Sequence, residues 1–71
     1  MTGKDLGRVR RLAKNGVARA IREEAGLSLS ELAQDVRVDR TTIHRWERGL
    51  RRPRGEAAAR YLAVLDELTS A

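Results

Sequence analysis

Four polar side chains between residues 40 and 45 have the chemistry and the spacing to contact base pairs. Arg40, Thr41, His44 and Arg45 share one face if the segment is helical, because residues four apart are separated by about one turn. An arginine guanidinium can pair with O6 and N7 of guanine, and a threonine can touch the methyl group of thymine. An exposed helix face of this kind therefore suits the base edges in a major groove.

These assignments have alternatives. His44 could instead contact a phosphate or have no role in binding. Arg40 and Arg45 could be ordinary surface arginines that pair with Asp39 or Glu47. We rank Arg40 and Arg45 first as base contacts, since bidentate pairing with guanine is the commonest specific contact.

The cations of the chain are concentrated in two segments. Residues 40–54 contain six arginines and one glutamate, and residues 1–15 contain five lysines or arginines and one aspartate. The segments 16–39 and 55–71 each carry a net charge of about −2, although the whole chain carries +5. A basic stripe on an acidic body is typical of a protein that binds a polyanion. The alternative is that these arginines are ordinary solvated residues on a helical surface and bind no ligand.

Two short helices joined by a tight turn would position these side chains. Ser28 and Glu31 form an S-x-x-E capping box, which predicts a helix that starts at Leu29. Asp39 is a candidate N-cap for a second helix, whose end Gly49 would follow. Two helices so close together are typical of a helix-turn-helix.

The inner face of the second helix would be Ile43 and Trp46. Their burial would turn Arg40 and Arg45 towards solvent. The single tryptophan could also stack on bases of a single strand. Its spacing from Ile43 favours the core.

The basic segment 1–15 is expected to be a helical extension, continuous with the first helix of a helix-turn-helix domain that spans 16–71. Apolar residues keep helical spacing through 4–25, with Asn15–Gly16 as a potential break. The extension would reach DNA phosphates or a minor groove; the alternative is a solvated, frayed terminus. Its cations are Lys4, Arg8, Arg10, Arg11 and Lys14.

The last helix is predicted over 55–69, opened by Pro53. It carries two apolar stripes, which is more than a helix facing one core needs. One stripe, which includes Tyr61, Val64 and Leu68, is a candidate dimer surface. The alternative is that a wide apolar band wraps a small core.

Composition argues against several classes of protein. The chain has no cysteine and one histidine, so neither thiol chemistry nor a multi-histidine metal site is expected. Its carboxylates are scattered, and it has no phosphate-binding loop, so we expect no enzyme, no cofactor and no small-molecule ligand. No apolar run reaches the length of a membrane span, which predicts a cytoplasmic protein without membrane contact.

Four sequence motifs resemble the Cro/repressor-type, or Xre-like, helix-turn-helix regulators of phages and bacteria. They are R-E-E-A-G-L-S over 22–28, E-L-A over 31–33, T-I-H-R-W-E-R-G over 42–49 and R-x-P over 51–53. The resemblance covers roughly 17–65 and implies an all-α bundle of four to five helices, like the DNA-binding domain of lambda repressor. It also implies the contacts with the DNA backbone. The candidate phosphate or minor-groove residues are Ser28, Ser30, Gln34, Arg37, Thr42, Arg48, Arg51, Arg52 and Arg54.

The same resemblance implies a structural ion pair between Arg22 and Glu47. The alternative is a local pair between Glu47 and Arg51 on the surface. The chain departs from the family at two positions. Leu29 stands where a glutamine usually contacts a phosphate, and Arg37 stands where the turn usually has a glycine. Arg37 must therefore adopt a left-handed backbone or reshape the turn, at a cost of about 1 kcal/mol.

The expected function is that of a Cro-like or repressor-like transcriptional regulator. It would bind a double-stranded, (pseudo)palindromic DNA operator with residues 40–48 in the major groove, as a homodimer that forms in solution or only on DNA. Two alternatives remain open from the sequence. One is a small architectural or recombination-directing protein, or the DNA-binding module of an antitoxin. The other is a module that binds only proteins.

Overall fold

Five helices form the structure, which is a computed structural model that describes residues 1–70. They are α1 (Gly3–Lys14), α2 (Val17–Glu24), α3 (Leu29–Val36), α4 (Arg40–Glu47) and α5 (Gly55–Thr69). The described residues contain no strand. The predicted all-α bundle with a central helix-turn-helix is thus confirmed, and α5 has the predicted bounds.

A break at Asn15–Gly16 separates α1 from α2, so the prediction of one continuous helix is wrong. The Asn15 backbone N–H donates to Arg11 O at 2.9 Å and closes α1. Its side-chain Oδ1 accepts from Val17 N at 3.0 Å, which starts the next helix. Gly16 lies between them at φ 87°, a left-handed conformation that glycine adopts without a steric penalty. These local interactions end α1 at this point, although the helical spacing of apolar residues continues through α2.

The extension 1–15 packs into the same core as the other helices. Val9 and Ala13 of α1 are buried, and α1 contacts α2, α4 and α5. The segment is therefore helical as expected, but it does not project from the domain as an arm.

Local caps set the ends of the two central helices. The capping box is present: Ser28 Oγ accepts from Glu31 N at 3.0 Å, and Glu31 Oε1 accepts from Ser28 N at 2.9 Å. The hydrogen bond from the Ser28 backbone N–H to the ionised carboxylate lowers the pKa of Glu31. At the end of α4, Gly49 N donates to Trp46 O and Leu50 N to Arg45 O, at 3.1 and 2.9 Å. This is a Schellman motif, with Gly49 at φ 71°.

The starts of α4 and α5 lie where they were predicted, but two details of how these helices begin need correction. Asp39 is the N-cap of α4, but its side chain makes no capping hydrogen bond. The Thr42 N–H instead donates to the Asp39 backbone oxygen at 2.9 Å. Pro53 does not open α5, which begins at Gly55 with Arg54 as its N-cap. Gly55 has a positive φ of 64°, so the chain turns there, and the buried Pro53 belongs to the loop before it.

All five helices contribute side chains to the core, in which an aromatic pair joins α4 to α5. Ile43 and Tyr61 are both 0% exposed, and the rings of Trp46 and Tyr61 are tilted by 31° with centroids 4.8 Å apart. An aromatic pair of this geometry adds about 0.5–1.5 kcal/mol beyond its buried area. The full core is Val9, Ala13, Ala18, Leu32, Ala33, Val36, Ile43, Trp46, Ala58, Tyr61, Leu62 and Leu65.

The candidate dimer surface is wrong for Tyr61, because that side chain is wholly inside the protomer. Val64 is half-buried against the core, and Leu68 is 37% exposed. The wide apolar band of α5 is thus explained mainly by helices that pack on it from several sides, including α1, α2 and α3.

Arg37 follows α3 with φ 62° and ψ 47°, and it is the only described residue other than glycine with a positive φ. The Schellman bonds of the turn are nevertheless made, from Arg37 N to Gln34 O and from Val38 N to Ala33 O. Of the two options from the sequence, the chain therefore uses the left-handed backbone and keeps the usual turn.

Replacing Arg37 with glycine should raise the free energy of unfolding by about 1 kcal/mol, because glycine has no left-handed penalty. The variant Arg37→Ala also loses the charge but keeps a Cβ at the same φ, so it should not gain that stability. Urea denaturation of both variants measures the difference. Equal stability of the two would show that the backbone at this position is not strained.

Replacing Tyr61 with phenylalanine should leave the unfolding free energy unchanged or raise it by up to about 1 kcal/mol. The Tyr61 hydroxyl is buried and has no hydrogen-bond partner among residues 1–70, and such a group costs stability. Its burial also raises its pKa. Thermal unfolding should separate this variant from Tyr61→Leu, which loses the ring pair with Trp46. A loss of more than 1 kcal/mol in Tyr61→Phe would contradict the unpaired hydroxyl.

Candidate nucleic-acid interface

The two faces of α4 have opposite environments. Ile43 and Trp46 are 0% and 5% exposed and point into the core. The outer face holds the four predicted base contacts Arg40, Thr41, His44 and Arg45, all of them exposed. Their side chains make no hydrogen bond or ion pair with the described part of the chain. The donors of this face are therefore available to a ligand.

A buried ion pair fastens the end of α4 to α2. Arg22 Nε donates to Glu47 Oε2 at 2.7 Å, and Arg22 Nη2 donates to Glu47 Oε1 at 3.0 Å. Only 11% of the arginine side chain and 2% of the glutamate side chain are exposed. The remaining Arg22 Nη1 donates to Leu27 O at 2.9 Å, just before α3. One guanidinium thus joins α2, the approach to α3 and the end of α4, and the carboxylate raises its pKa.

This geometry decides between the alternatives for the partners of Glu47. Its carboxylate belongs to Arg22, so it does not pair with Arg45 or Arg51 on the surface. The pair was implied only by the family resemblance, because the two residues are separated by 25 positions.

A second interaction, which was not predicted from the sequence, supports the helix-turn-helix from behind. Arg60 on α5 donates from Nε to Val36 O at 2.7 Å. Val36 is the last residue of α3, where carbonyl groups lack partners within the helix. The half-buried cation thus caps α3 and holds it to α5. The only signal in the sequence was an arginine among the alanines of an apolar helix.

The predicted phosphate contacts lie in three places around the exposed face of α4. Ser28, Ser30, Gln34 and Arg37 belong to α3 or its ends, and all four are exposed. Thr42 is half-buried on the first turns of α4. Arg48, Arg51, Arg52 and Arg54 are exposed at the end of α4 and in the loop that follows. Leu29, which replaces the family glutamine, packs against the core instead.

An open cavity of about 770 Å³ connects α4 with the loop 48–54. Thr42 and Arg45 line it from α4, and Arg10 lines it from α1. Three loop arginines complete its wall: Arg51, Arg52 and Arg54. The cavity therefore joins a predicted base contact to the predicted phosphate contacts in a single cationic surface.

The cations of α1 have different roles. Arg8 makes two hydrogen bonds with Asp66 on α5, at 2.9 and 2.8 Å, and lowers the pKa of that carboxyl. Arg10 Nε donates to Pro53 O at 2.9 Å. Arg8 thus holds α1 to α5, and Arg10 holds α1 to the loop 48–54. Neither contact was predicted from the sequence. Lys4, Arg11 and Lys14 are exposed.

Comparison with protein families matches residues 19–69 to the model described as helix-turn-helix. The match covers more than half of the chain and contains α3, α4 and the turn between them.

The chain belongs to the Xre-like helix-turn-helix family. The resemblance found in the sequence is thereby confirmed, and the protein is a DNA-binding regulator in the general sense of that family. A search of the curated proteins and a search of the solved structures returned no match to it. Helix α1 lies outside the matched residues.

Two further observations concern the described residues alone. None of the helices within 1–70 has the length and apolar character needed to cross a membrane. The same residues contain no cluster of histidine and carboxylate side chains arranged to hold a metal ion.

Removing the charge of Glu47 should lower the free energy of unfolding by about 3–5 kcal/mol, because Glu47→Gln leaves Arg22 buried without its partner. A domain of this size has roughly 3–5 kcal/mol in total, so much of the variant should be unfolded at 25 °C. The matched control is Glu23→Gln, which breaks an exposed pair with Arg19 and should cost about 0.5 kcal/mol or less. Urea denaturation measures both. Similar losses in the two variants would contradict a structural role for the buried pair.

Proposed function

We propose that this protein is a sequence-specific transcriptional regulator, Cro-like or repressor-like, that binds a DNA operator with α4 in the major groove. The observation that carries the proposal is the outer face of α4, where Arg40, Thr41, His44 and Arg45 are exposed without partners in the described structure. In helix-turn-helix proteins, residues near the N-terminus of the second helix contact base edges. Arg40 and Thr41 occupy that end of α4.

Among the proposed base contacts, Arg40 and Arg45 are expected to contribute most to sequence specificity. Each has a guanidinium that can pair with O6 and N7 of guanine, an interaction worth about 1–3 kcal/mol against a wrong base. The buried pair of Arg22 and Glu47 keeps α4 at a fixed orientation relative to α2 and α3. Specificity depends on that orientation, because a bidentate contact tolerates little rotation of the helix.

The proposed affinity comes mainly from the backbone of the duplex. Arg48, Arg51, Arg52 and Arg54 are exposed beside α4, and each can neutralise a phosphate. The N–H groups at the start of α3 and the hydroxyl of Ser30 can contact the backbone on the other side of α4, in place of the absent glutamine side chain. Together they would place α4 between two lines of phosphate contacts.

Two copies of the protein are proposed to bind a (pseudo)palindromic site, with half-sites about one helical turn, ~34 Å, apart. Leu50, which follows α4, is 71% exposed, and Leu68 is 37% exposed. These residues offer only a small apolar surface, which favours pairing on DNA over a stable dimer in solution. A protein that acts on such an operator works in the cytoplasm of a bacterial or phage-infected cell.

Replacing Arg40 and Arg45 together with alanine should remove sequence specificity. The operator is first obtained by in vitro selection from random duplexes, and mobility shifts then compare it with a random duplex. The expected loss on the operator is about 1–3 kcal/mol per arginine, with a much smaller loss on random DNA. The control Arg19→Glu lowers the net charge by the same amount at an exposed position elsewhere and should preserve the ratio of the two affinities.

Two results would refute the proposed function. One is a wild-type protein that binds every duplex with equal affinity and yields no consensus in the selection. The other is a double variant at 40 and 45 that folds and still prefers the operator by the wild-type ratio. A selected site with strong bending and no two-fold symmetry would instead favour the architectural alternative.

A further inference from the structure

A second cavity, of about 440 Å³, lies between α1 and the loop that follows α4. Five cationic side chains surround it: Arg10, Arg11, Lys14, Arg51 and Arg52. We call this group the basic cleft. No carboxylate lines the cavity, and its inner wall is formed by Ala13, Trp46 and Pro53.

The charges of the basic cleft are not neutralised by the described residues. Arg10 uses one N–H to bond Pro53 O, and that acceptor is an uncharged carbonyl. The side chains of Arg11, Lys14, Arg51 and Arg52 are exposed and have no ion pair within 1–70. Like charges this close repel one another, so an anion bound between them would relieve that repulsion.

The basic cleft is continuous with the surface of α4. The two cavities share Arg10, Trp46, Gly49, Arg51 and Arg52 among their lining residues. Lys14 also lies directly against the end of α4, since its Cγ is 3.9 Å from the position that a Cβ on Gly49 would occupy. A polyanion held on the outer face of α4 can therefore extend along the loop to α1.

The chemistry of the residues that line the second cavity determines which ligands the basic cleft can bind. Ala13, Trp46 and Pro53 are almost entirely buried, so the apolar part of the exposed lining comes mainly from the other lining residues, among them the hydrocarbon stems of the arginines and the lysine. The ends of those side chains are guanidinium and ammonium groups, which bind phosphate without regard to sequence. Five cations with no carboxylate among the lining residues fit a ligand that carries a row of negative charges.

From these observations we propose that α1 binds the sugar–phosphate backbone of the operator duplex through the basic cleft, with Arg11 and Lys14 as its contacts. The proposal rests on the proposed function and extends it beyond the residues that match the family, which begin at 19. Arg10 holds the loop carrying Arg51 and Arg52 next to α1, so all five cations face the same stretch of backbone.

The test is the salt dependence of DNA binding by Arg11→Gln/Lys14→Gln. The selected operator and a random duplex are titrated by fluorescence anisotropy over a series of salt concentrations. Loss of two phosphate contacts should reduce the slope of log K against log salt by about 1.8, at about 0.9 per phosphate. Both duplexes should weaken by the same factor, so the ratio of their affinities should not change.

The matched control is Arg19→Glu, which lowers the net charge by the same amount at an exposed position outside the cleft and should keep the wild-type slope. If Arg11→Gln/Lys14→Gln, Arg19→Glu and the wild type all bind DNA with equal slopes, the role of α1 is overturned and the proposed function is not. A wild-type protein that binds no duplex would overturn the proposed function together with it.

A labelled peptide of alternating glutamate and leucine serves as a second probe of the basic cleft. We expect at most weak binding, which Arg11→Gln/Lys14→Gln and Arg19→Glu reduce alike. Tight binding abolished only by Arg11→Gln/Lys14→Gln, with the DNA slope unchanged, would show that the cleft is a protein site and overturn the proposal.

Discussion

The buried ion pair of Arg22 and Glu47 is the constraint on which the placement of α4 depends. Its charges lose most of their hydration, so the pair contributes less to net stability than its short distances suggest. What it supplies is a defined geometry. The N–H groups of the planar guanidinium point in fixed directions. They donate to the Glu47 carboxylate and to the Leu27 carbonyl, so they fix the positions of both acceptors relative to Arg22. Because these partners flank the helix-turn-helix, α3 and α4 cannot rotate independently of α2.

Features that depend on neighbouring residues were predictable from the sequence. The capping box of Ser28 and Glu31 needs only residues three positions apart, and the structure contains both of its hydrogen bonds. Ile43 and Trp46 were assigned to the core from their spacing, and both are buried. At Arg37 the family resemblance left two options, a left-handed backbone or a reshaped turn, and the structure has the first. In each case the determining interaction lies within one or two helical turns.

Features that depend on distant segments were not predictable from spacing. Arg8 contacts Asp66 across 58 positions, and Arg10 contacts Pro53 across 43. A basic, amphipathic segment has the same pattern whether its arginines bind DNA or brace a neighbouring helix, so the sequence could not separate the two roles. The stripe containing Tyr61 was ambiguous for a related reason. The number of helices that pack on α5 decides how wide its apolar face must be, and that number is a property of the whole fold.

The residues that match the family and the residues that fold together have different boundaries, because α1 belongs to the core but lies outside the match. The matched segment begins at residue 19, yet Val9 and Ala13 lie in the core and Arg10 bonds the loop after α4. A chimera that transplants only the matched residues into another protein would therefore leave a hole beside Trp46 and release the arginine loop. In this protein the matched residues do not form a complete core by themselves, so an exchange of the matched segment would also need a substitute for the first helix.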